Sequence, residues 1–252
     1  MLRNTYTLNM SEVPVASAPP PPPPPPPPAA PASTSGFDFG KPFTYVFDDP
    51  RWLQKILVGG LFILASVFLI GWFFVLGYLA RVARNIIAGH EYPLPEWEDL
   101  GGMFNEGARL IGVLLCYAIP MFLIAMVFMV PAILSDTTDN EAVQAISGSF
   151  AGCLSCLIVP LVFVILFFMP ASLIFAVVEQ RFGAAFEIGR LWAFIRANIG
   201  NYLLAIVVAI VARILGGFGI FLLCVGVIFT LFWSFLVMTH GFAQAYRFRK
   251  VS

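Results

Sequence analysis

Carboxylates are concentrated in one polar stretch of an otherwise apolar chain. The stretch HEYPLPEWEDLG covers residues 90–101, and it supplies, with one residue just beyond it, Glu91, Glu96, Glu98, Asp99 and Glu106. Carboxylate oxygens are the ligands that hard divalent cations prefer. Their spacing here matches no calcium-binding loop, so a metal or catalytic site is one interpretation and a structural connector is the other.

The residue types of this stretch favour the connector. Pro93 and Pro95 hold the residues before them in extended conformations, because a residue that precedes proline avoids the helical region. Trp97 is expected at the lipid interface, where tryptophan is enriched. Glu98 and Asp99 precede a predicted helix and complement the positive end of its dipole. We therefore predict a structural connector at these five positions and no catalytic, cofactor-binding or metal-binding residue.

Two basic residues are the expected partners of this acidic connector. Arg81 and Arg84 lie just upstream of it, at the end of the preceding apolar block. The connector is expected to stay on the same side of the membrane as these two arginines.

The cysteines offer a second possible chemistry. Cys153 and Cys156 form the motif CLSC, whereas Cys116 and Cys224 lie in other apolar blocks. A zinc site needs four cysteine or histidine ligands, and a redox pair needs an accessible thiolate. The pair opens an apolar helix, so we predict buried small residues, with a redox or disulfide role as the alternative.

The remaining titratable residues give little support to catalysis. His90 and His240 each lie near the end of a predicted span and are expected at the interface. Arg213 is the exception within the spans, and its long side chain can reach the headgroups from a helix end. Ion-coupled carriers and proton relays usually carry such residues inside their spans. Enzyme and ion-coupled transporter classes are therefore disfavoured.

Composition places the chain in a membrane. It has 252 residues, of which 60% are hydrophobic and 11% charged, and its mean hydropathy is +0.89. A helix crosses the hydrocarbon core with about 20 apolar residues. Long uncharged blocks that meet this length cover residues 56–80, 110–134, 151–178 and 214–246.

The fold class that follows is all-α integral membrane, a polytopic helical bundle of about five membrane segments. The last block is too long for one crossing, and RILGGFG at residues 213–219 divides it into helices near 199–215 and 219–240. Three aromatic, charged lead-ins precede spans and are expected to lie in the interface as helices. They are FDDPRWLQKILVGG, PEWEDLGGMFNEGARLIGV and RFGAAFEIGRLWAFIRANIGNYLL.

The charge pattern is compatible with two topologies for the first apolar block, residues 56–80. Arginines and lysines in short loops stay in the cytoplasm, which predicts a cytoplasmic C-terminus in the cell membrane. Lys41, Arg51 and Lys55 argue that the N-terminal side is cytoplasmic too. Residues 56–80 then either form a re-entrant helical hairpin that breaks near Gly71 and Trp72, or cross once and export the N-terminus.

Residues 1–36 are predicted to be a disordered tail, and residues 37–250 the membrane bundle. The tail contains ten consecutive prolines at residues 19–28, which form a stiff polyproline II rod of roughly 30 Å. The rod is either a spacer or a ligand for a proline-binding domain. Net charge is zero, so no nucleic-acid partner is expected.

Four segments together resemble a known family. They are DDPRWLQKILVGGLF, GYLARVARNIIAG, YPLPEWEDLGGMFNEGARL and HGFAQAYR. The chain resembles an uncharacterised prokaryotic integral membrane family, domain of unknown function 4013, over roughly residues 37–250. The resemblance implies an integral membrane protein of a bacterium or archaeon, and it carries over no catalytic residue.

Two functions are favoured by the sequence, and a membrane enzyme ranks third. The leading one is a non-enzymatic scaffold or accessory subunit of a membrane complex, in contact with the bilayer and with a membrane-protein partner. The alternative is a passive or facilitated transporter whose cavity is shaped by proline-kinked helices. The prolines concerned are Pro120, Pro131, Pro160 and Pro170.

Overall fold

The computed structural model describes residues 36–137, 140–221 and 225–249, and every regular element within these ranges is helical. The predicted all-α bundle is confirmed. Its α-helices are α1 Lys41–Thr44, α2 Trp52–Ala65, α3 Gly71–Ala88, α4 Leu100–Thr137, α5 Glu141–Glu179, α6 Ile188–Ala197, α7 Ile199–Gly217 and α8 Val225–Arg247. The proline run at residues 19–28 lies outside the described residues.

Four helical stretches are long and apolar enough to cross a membrane. A shorter apolar helix covers Trp52–Phe68. The four longer stretches are Leu100–Val127, Glu141–Glu179, Ile199–Phe221 and Gly226–Arg247. In lipid a helix satisfies its own backbone hydrogen bonds, which explains why uncharged blocks of this length become helices.

The first apolar block is broken into two helices. α2 ends at Ala65, a 3-10 turn covers Ser66–Phe68, and Leu69 adopts a φ of 65° before α3 begins at Gly71. The rings of Phe62 and Phe74 stack at 4.8 Å, so α3 folds back along α2. The hairpin shape is therefore present, although the break comes a few residues before the predicted Gly71–Trp72. Gly71 instead permits close contact with the Phe62 carbonyl.

Two glycines let α3 and α4 approach closely. A Cβ at Gly77 would collide with the backbone carbonyl of Met103, and a Cβ at Gly107 with that of Phe73. Small residues at such crossings allow backbone-to-backbone packing between membrane helices. This contact fixes the start of α4 beside the hairpin.

The second lead-in does not form a separate interfacial helix, which corrects the prediction. α4 runs without a break from Leu100 to Thr137, because Asp99 begins a helix that meets no strong breaker before the span. The third lead-in does contain a separate helix, α6, which ends where Asn198 leaves helical geometry at φ −125°. α5 is a single helix that contains two of the prolines.

The last block forms two helices, as predicted. A 3-10 turn at Phe218–Phe221 follows α7, and α8 ends at Arg247, seven residues beyond the expected end. His240 consequently lies inside a helix, is 6% exposed, and packs against the Tyr45 ring in a tilted arrangement with 4.5 Å between the ring centroids. The N-terminal segment therefore covers His240, and its predicted place at the membrane interface stays a prediction.

The N-terminal segment packs along α8. Tyr45 donates a hydrogen bond from its hydroxyl to the Leu236 carbonyl at 3.1 Å. With its amide oriented to suit its partners, Gln244 donates to the Asp38 carbonyl and accepts from the Asp38 amide, each at 3.0 Å. The first described residues therefore lie beside the C-terminal part of α8.

Candidate functional site: the charged connector and the apolar groove

A buried lysine organises the connector. Lys55 is only 5% exposed, and its Nζ lies 2.7 Å from Asp49, 2.8 Å from Glu96 and 2.8 Å from the Leu94 carbonyl. A buried ammonium needs such partners, since burial removes its hydration. Lys55 is therefore enclosed by the chain before α2 and by the connector.

The predicted arginine partners are present. Arg81 donates to Asp99 at 2.7 Å and to Glu106 at 3.0 Å, and Arg84 also binds Glu106. Asp99 in turn accepts from the Gly102 amide at 2.9 Å, which caps the start of α4. The Arg81 guanidinium, followed by this amide, lowers the pKa of the Asp99 carboxyl below its ordinary value.

Trp97 packs inside the protein. Its ring stacks on Tyr78 at 4.1 Å and on Phe62 at 4.9 Å, and its Nε1 donates to the Lys55 carbonyl at 3.2 Å. It thus joins the α2–α3 hairpin to the connector, where the sequence had suggested a lipid anchor. These two aromatic neighbours lie 19 and 35 positions away in the sequence, and a third, Phe232, belongs to α8, so residue type alone could not indicate them.

The other predicted connector residues differ in burial. Pro93 is buried, and its carbonyl accepts from the Asn85 side chain at 2.9 Å. Pro95 is half-buried, and Glu98 is exposed. The five predicted residues thus lie together as one chain segment, with Pro93, Trp97 and Asp99 making hydrogen bonds to α2, α3 or α4. Their role as a structural connector stays a prediction.

The metal alternative finds no geometric support among the described residues. No group of three or more histidine, cysteine, aspartate or glutamate side chains there could hold a metal ion. Glu96 binds Lys55 and Arg51, and Glu106 binds two arginines. Three of the five carboxylates, Glu96, Asp99 and Glu106, are therefore engaged by cations of the chain itself.

A second ion-pair cluster, at the α5–α6 connection, was missed from the sequence. Glu179 and Glu187 each bind both Arg181 and Arg190. Hydrogen bonding to Glu179 is the main cause that raises the pKa of both arginines. The alternation of acids and bases between residues 179 and 190 was the feature of the sequence that could have predicted this cluster. Arg190 also lies over the ring of Phe175, 5.4 Å from its centroid.

The two charged clusters lie at the same end of the bundle. The ring of Phe175, over which Arg190 lies, also contacts the ring of Tyr246 near the end of α8, with 5.5 Å between the two centroids. The next residue, Arg247, donates to the Ile86 carbonyl at the end of α3 at 3.4 Å. Basic residues that are distant in sequence are therefore gathered at one end.

The three cysteines within the described residues are not buried. Cys116, Cys153 and Cys156 are free and exposed on the outer surfaces of α4 and α5, so the prediction of buried small residues is wrong for the pair Cys153 and Cys156. Cys224 lies outside the described residues. Lipid-facing surfaces accept small apolar side chains as readily as a core does, which the sequence pattern could not distinguish.

An apolar cavity lies in the middle of the bundle, between α3, α4, α5 and α8. Its volume is about 240 Å³. Among the residues that line it, Trp72 and Thr239 supply side-chain nitrogen or oxygen atoms, and none is ionisable. We call this space the central cavity.

A larger cleft opens sideways between α5, α7 and α8, and we call it the lateral groove. Its volume is about 860 Å³, and its lining includes Phe163, Trp192, Ile210 and Arg213. Arg213 is the one ionisable residue among the described residues that line it.

One of the four predicted prolines shapes these spaces. Pro170 lines both the lateral groove and the central cavity, together with Met238 and Phe242. Pro120 and Pro160 are exposed on the outside of their helices, and the side chain of Pro131 is outside the described part. The proline pattern alone could not tell an inward kink from an outward one.

The apolar helices, the charged end, the central cavity and the open lateral groove define a helical membrane protein. The sequence model of a family described as "Protein of unknown function (DUF4013)" matches residues 60–225. The chain belongs to this family, over a shorter range than residues 37–250. Searches among curated proteins and among solved structures returned no match.

Proposed function

We propose that this protein is a non-enzymatic, multi-pass protein of the cell membrane that acts as a scaffold or accessory subunit of a larger complex. The observation that carries the proposal is an apolar stripe on α4. Its residues are exposed and follow one another at intervals of four and three positions. They are Leu115, Ile119, Phe122, Met126, Met129 and Ile133.

A stripe with this spacing suits packing against another helix. Alternating steps of three and four residues place side chains along one side of a helix, where they can fit between those of a partner. In a membrane such contacts gain from close packing, because lipid tails are as apolar as the helix. The partner class is therefore a membrane helix of another protein.

The polar groups of the protein support a role without transport of ions. Ion pathways are lined by carbonyl or charged groups, whereas the described lining of the central cavity is apolar. At the end of the bundle where the basic residues are gathered, acidic and basic side chains pair with one another in the two ion-pair clusters.

Site-specific crosslinking tests the scaffold proposal. A photoreactive amino acid at Phe122 should give a discrete protein adduct in native membranes, since this position lies at the centre of the stripe. The matched control is Leu61 on α2, which is equally exposed at 63%. Equal labelling at both positions, or adducts with lipid alone at Phe122, would contradict the proposal.

A passive or facilitated transporter is the second candidate. It is favoured by the wall that the lateral groove and the central cavity share, formed by Pro170, Met238 and Phe242. The cargo would be apolar, to match both linings. A fluorescent fatty-acid analogue should then cross vesicles that contain the protein faster than empty vesicles, and Pro170→Ala should change that rate. An unchanged rate relative to empty vesicles would exclude this candidate.

The proline run at residues 19–28 is proposed as a spacer or as a ligand for a proline-binding partner. Deletion of residues 1–36 should leave the bundle inserted and soluble in detergent, since this segment is poor in large apolar side chains. Aggregation of the truncated protein alone would show that the segment is needed by the bundle.

A further inference from the structure

The lateral groove has the size and lining of a ligand site. Its volume of about 860 Å³ falls within the range of roughly 300–1,000 Å³ that is usual for small-molecule sites. Its walls come from the apolar faces of α5, α7 and α8, and it opens sideways, where the acyl chains of a bilayer would lie. The rim residues Phe163 and Ile214 are more than half exposed.

Arg213 gives this apolar groove a polar end. It lies four residues before the end of α7 and seven residues, or roughly 10 Å, beyond Ile206 along the helix axis. Trp192 lines the groove from α6, close to the end of the bundle that carries the charged clusters. The groove therefore runs from an arginine at one end to an aromatic residue at the other.

The charge of Arg213 has no carboxylate partner in the described part of the chain. Ion pairs there involve the arginines at positions 51, 81, 84, 181 and 190. Arg213 instead lies over the ring of Phe235, 4.8 Å from its centroid. A cation–π contact contributes roughly 0.5–2 kcal/mol and leaves the charge in place, so the guanidinium remains able to bind an anion.

We propose that the lateral groove binds an anionic phospholipid of the bilayer. The phosphate accepts hydrogen bonds from the Arg213 guanidinium, whose planar donors match phosphate oxygens. One acyl chain lies along the groove, against Ile210 and towards Trp192. The apolar walls bind the acyl chain. The positive charge of Arg213 favours a headgroup with a net negative charge over a zwitterionic headgroup.

The selectivity of Arg213 is tested by native mass spectrometry of the full-length protein in detergent. Palmitoyl-oleoyl phosphatidylglycerol should bind in preference to phosphatidylcholine with the same chains. Arg213→Gln should weaken phosphatidylglycerol binding by about tenfold, as expected for loss of one charged hydrogen bond. The matched control is Arg196→Gln, an exposed arginine on α6 outside the groove lining, which should keep the preference. Equal binding of both lipids, or equal losses in both variants, would overturn the proposal.

The site of the acyl chain is tested by filling the groove. Ile210→Trp places a large ring in the groove from an exposed position, and should reduce binding of both lipids. The control is Val207→Trp, also exposed on α7 but outside the groove lining, which should bind both lipids as the wild type does. Unchanged lipid binding in Ile210→Trp, or binding of free oleate in place of phosphatidylglycerol, would contradict the assignment. A crosslink from Ile210 to a partner protein in native membranes would assign the groove to that partner instead.

Discussion

Individual charged residues differ widely in what they contribute, because their burial differs. Lys55 is almost fully enclosed and binds Asp49, which is itself 3% exposed. Lys41 binds Asp48 with both side chains half exposed. Removing one partner of a buried pair leaves the other charge without compensation, whereas a surface pair is screened by solvent.

Replacement of Lys55 should therefore destabilise the protein strongly. Lys55→Met removes the ammonium and leaves Asp49 buried, at an expected cost of about 3–5 kcal/mol. Lys41→Met, the control, should cost less than about 1 kcal/mol. Thermal unfolding of both variants in the same detergent measures the difference. Similar melting temperatures for the two would show that the ion pairs of Lys55 are not needed for the stability of the fold.

The carboxylate of Asp99 should make stability depend on pH at the acidic side. Its pKa is lowered in the folded protein by Arg81 and by the Gly102 amide, so its contribution is complete above the ordinary aspartate pKa. That contribution is lost as the pH falls through the lowered value. Asp99→Asn should therefore be less stable than the wild type near neutral pH, and the difference in melting temperature should shrink towards about pH 3.

Glu98→Gln is the control for this pH dependence. Glu98 is the exposed neighbour of Asp99 and forms no ion pair within the described part of the chain. Its melting temperature should follow that of the wild type at every pH. A constant difference between wild type and Asp99→Asn across the pH range would show that the charge of Asp99 does not matter.

Among the elements, the contact between α3 and α4 depends on two glycines that face backbone. Gly107→Ala should force the helices apart, because its Cβ would meet the carbonyl of Phe73. Overpacking of this kind costs about 1–3 kcal/mol. Gly101→Ala, in the first turn of the same helix, meets nothing within 4 Å and should cause no loss. Thermal unfolding and size-exclusion profiles compare the two, and an equally stable Gly107→Ala would refute the close contact.

The helical hairpin illustrates how packing places a break that composition only suggests. Residues 56–80 contain no charge and are long enough for one crossing, yet α3 folds back on α2. Both arms carry basic residues near the connector, and Lys55, Arg81 and Arg84 all find carboxylates there. A single crossing would separate Lys55 from Arg81, although their partners Glu96 and Asp99 lie only three residues apart.

For the whole molecule, the same argument predicts that both termini lie on one side of the membrane, the cytoplasmic side. Asp38 and Gln244 are adjacent, which a single crossing followed by four more would not allow. Single cysteines at Ser33 and Ser252, in a version without native cysteines, should both resist an impermeant maleimide on intact cells and react after lysis. Reaction at Ser33 alone on intact cells would establish an exported N-terminus.

The sequence by itself determined the class of the protein and the types of its elements. Uncharged blocks of about 25 residues become helices in lipid because the backbone finds no other hydrogen-bond partner there. The division of the last block and the Asp99 cap also follow from local signals, since glycines permit turns and a carboxylate suits a helix start. The ion pairs of Arg81 and Arg84 could be predicted because these arginines lie close in sequence to the acids of the connector.

Only the tertiary structure decided which residues share a site. Lys55 meets Glu96 across 41 positions, and Trp97 meets Tyr78 and Phe62, because the hairpin and the connector pack together. The lateral groove likewise depends on how α5 lies against α7 and α8, and it gives Arg213 an environment that its position near a helix end did not indicate. Apolar packing is non-directional, so a sequence of apolar blocks specifies helices but leaves open which faces meet and which spaces remain between them.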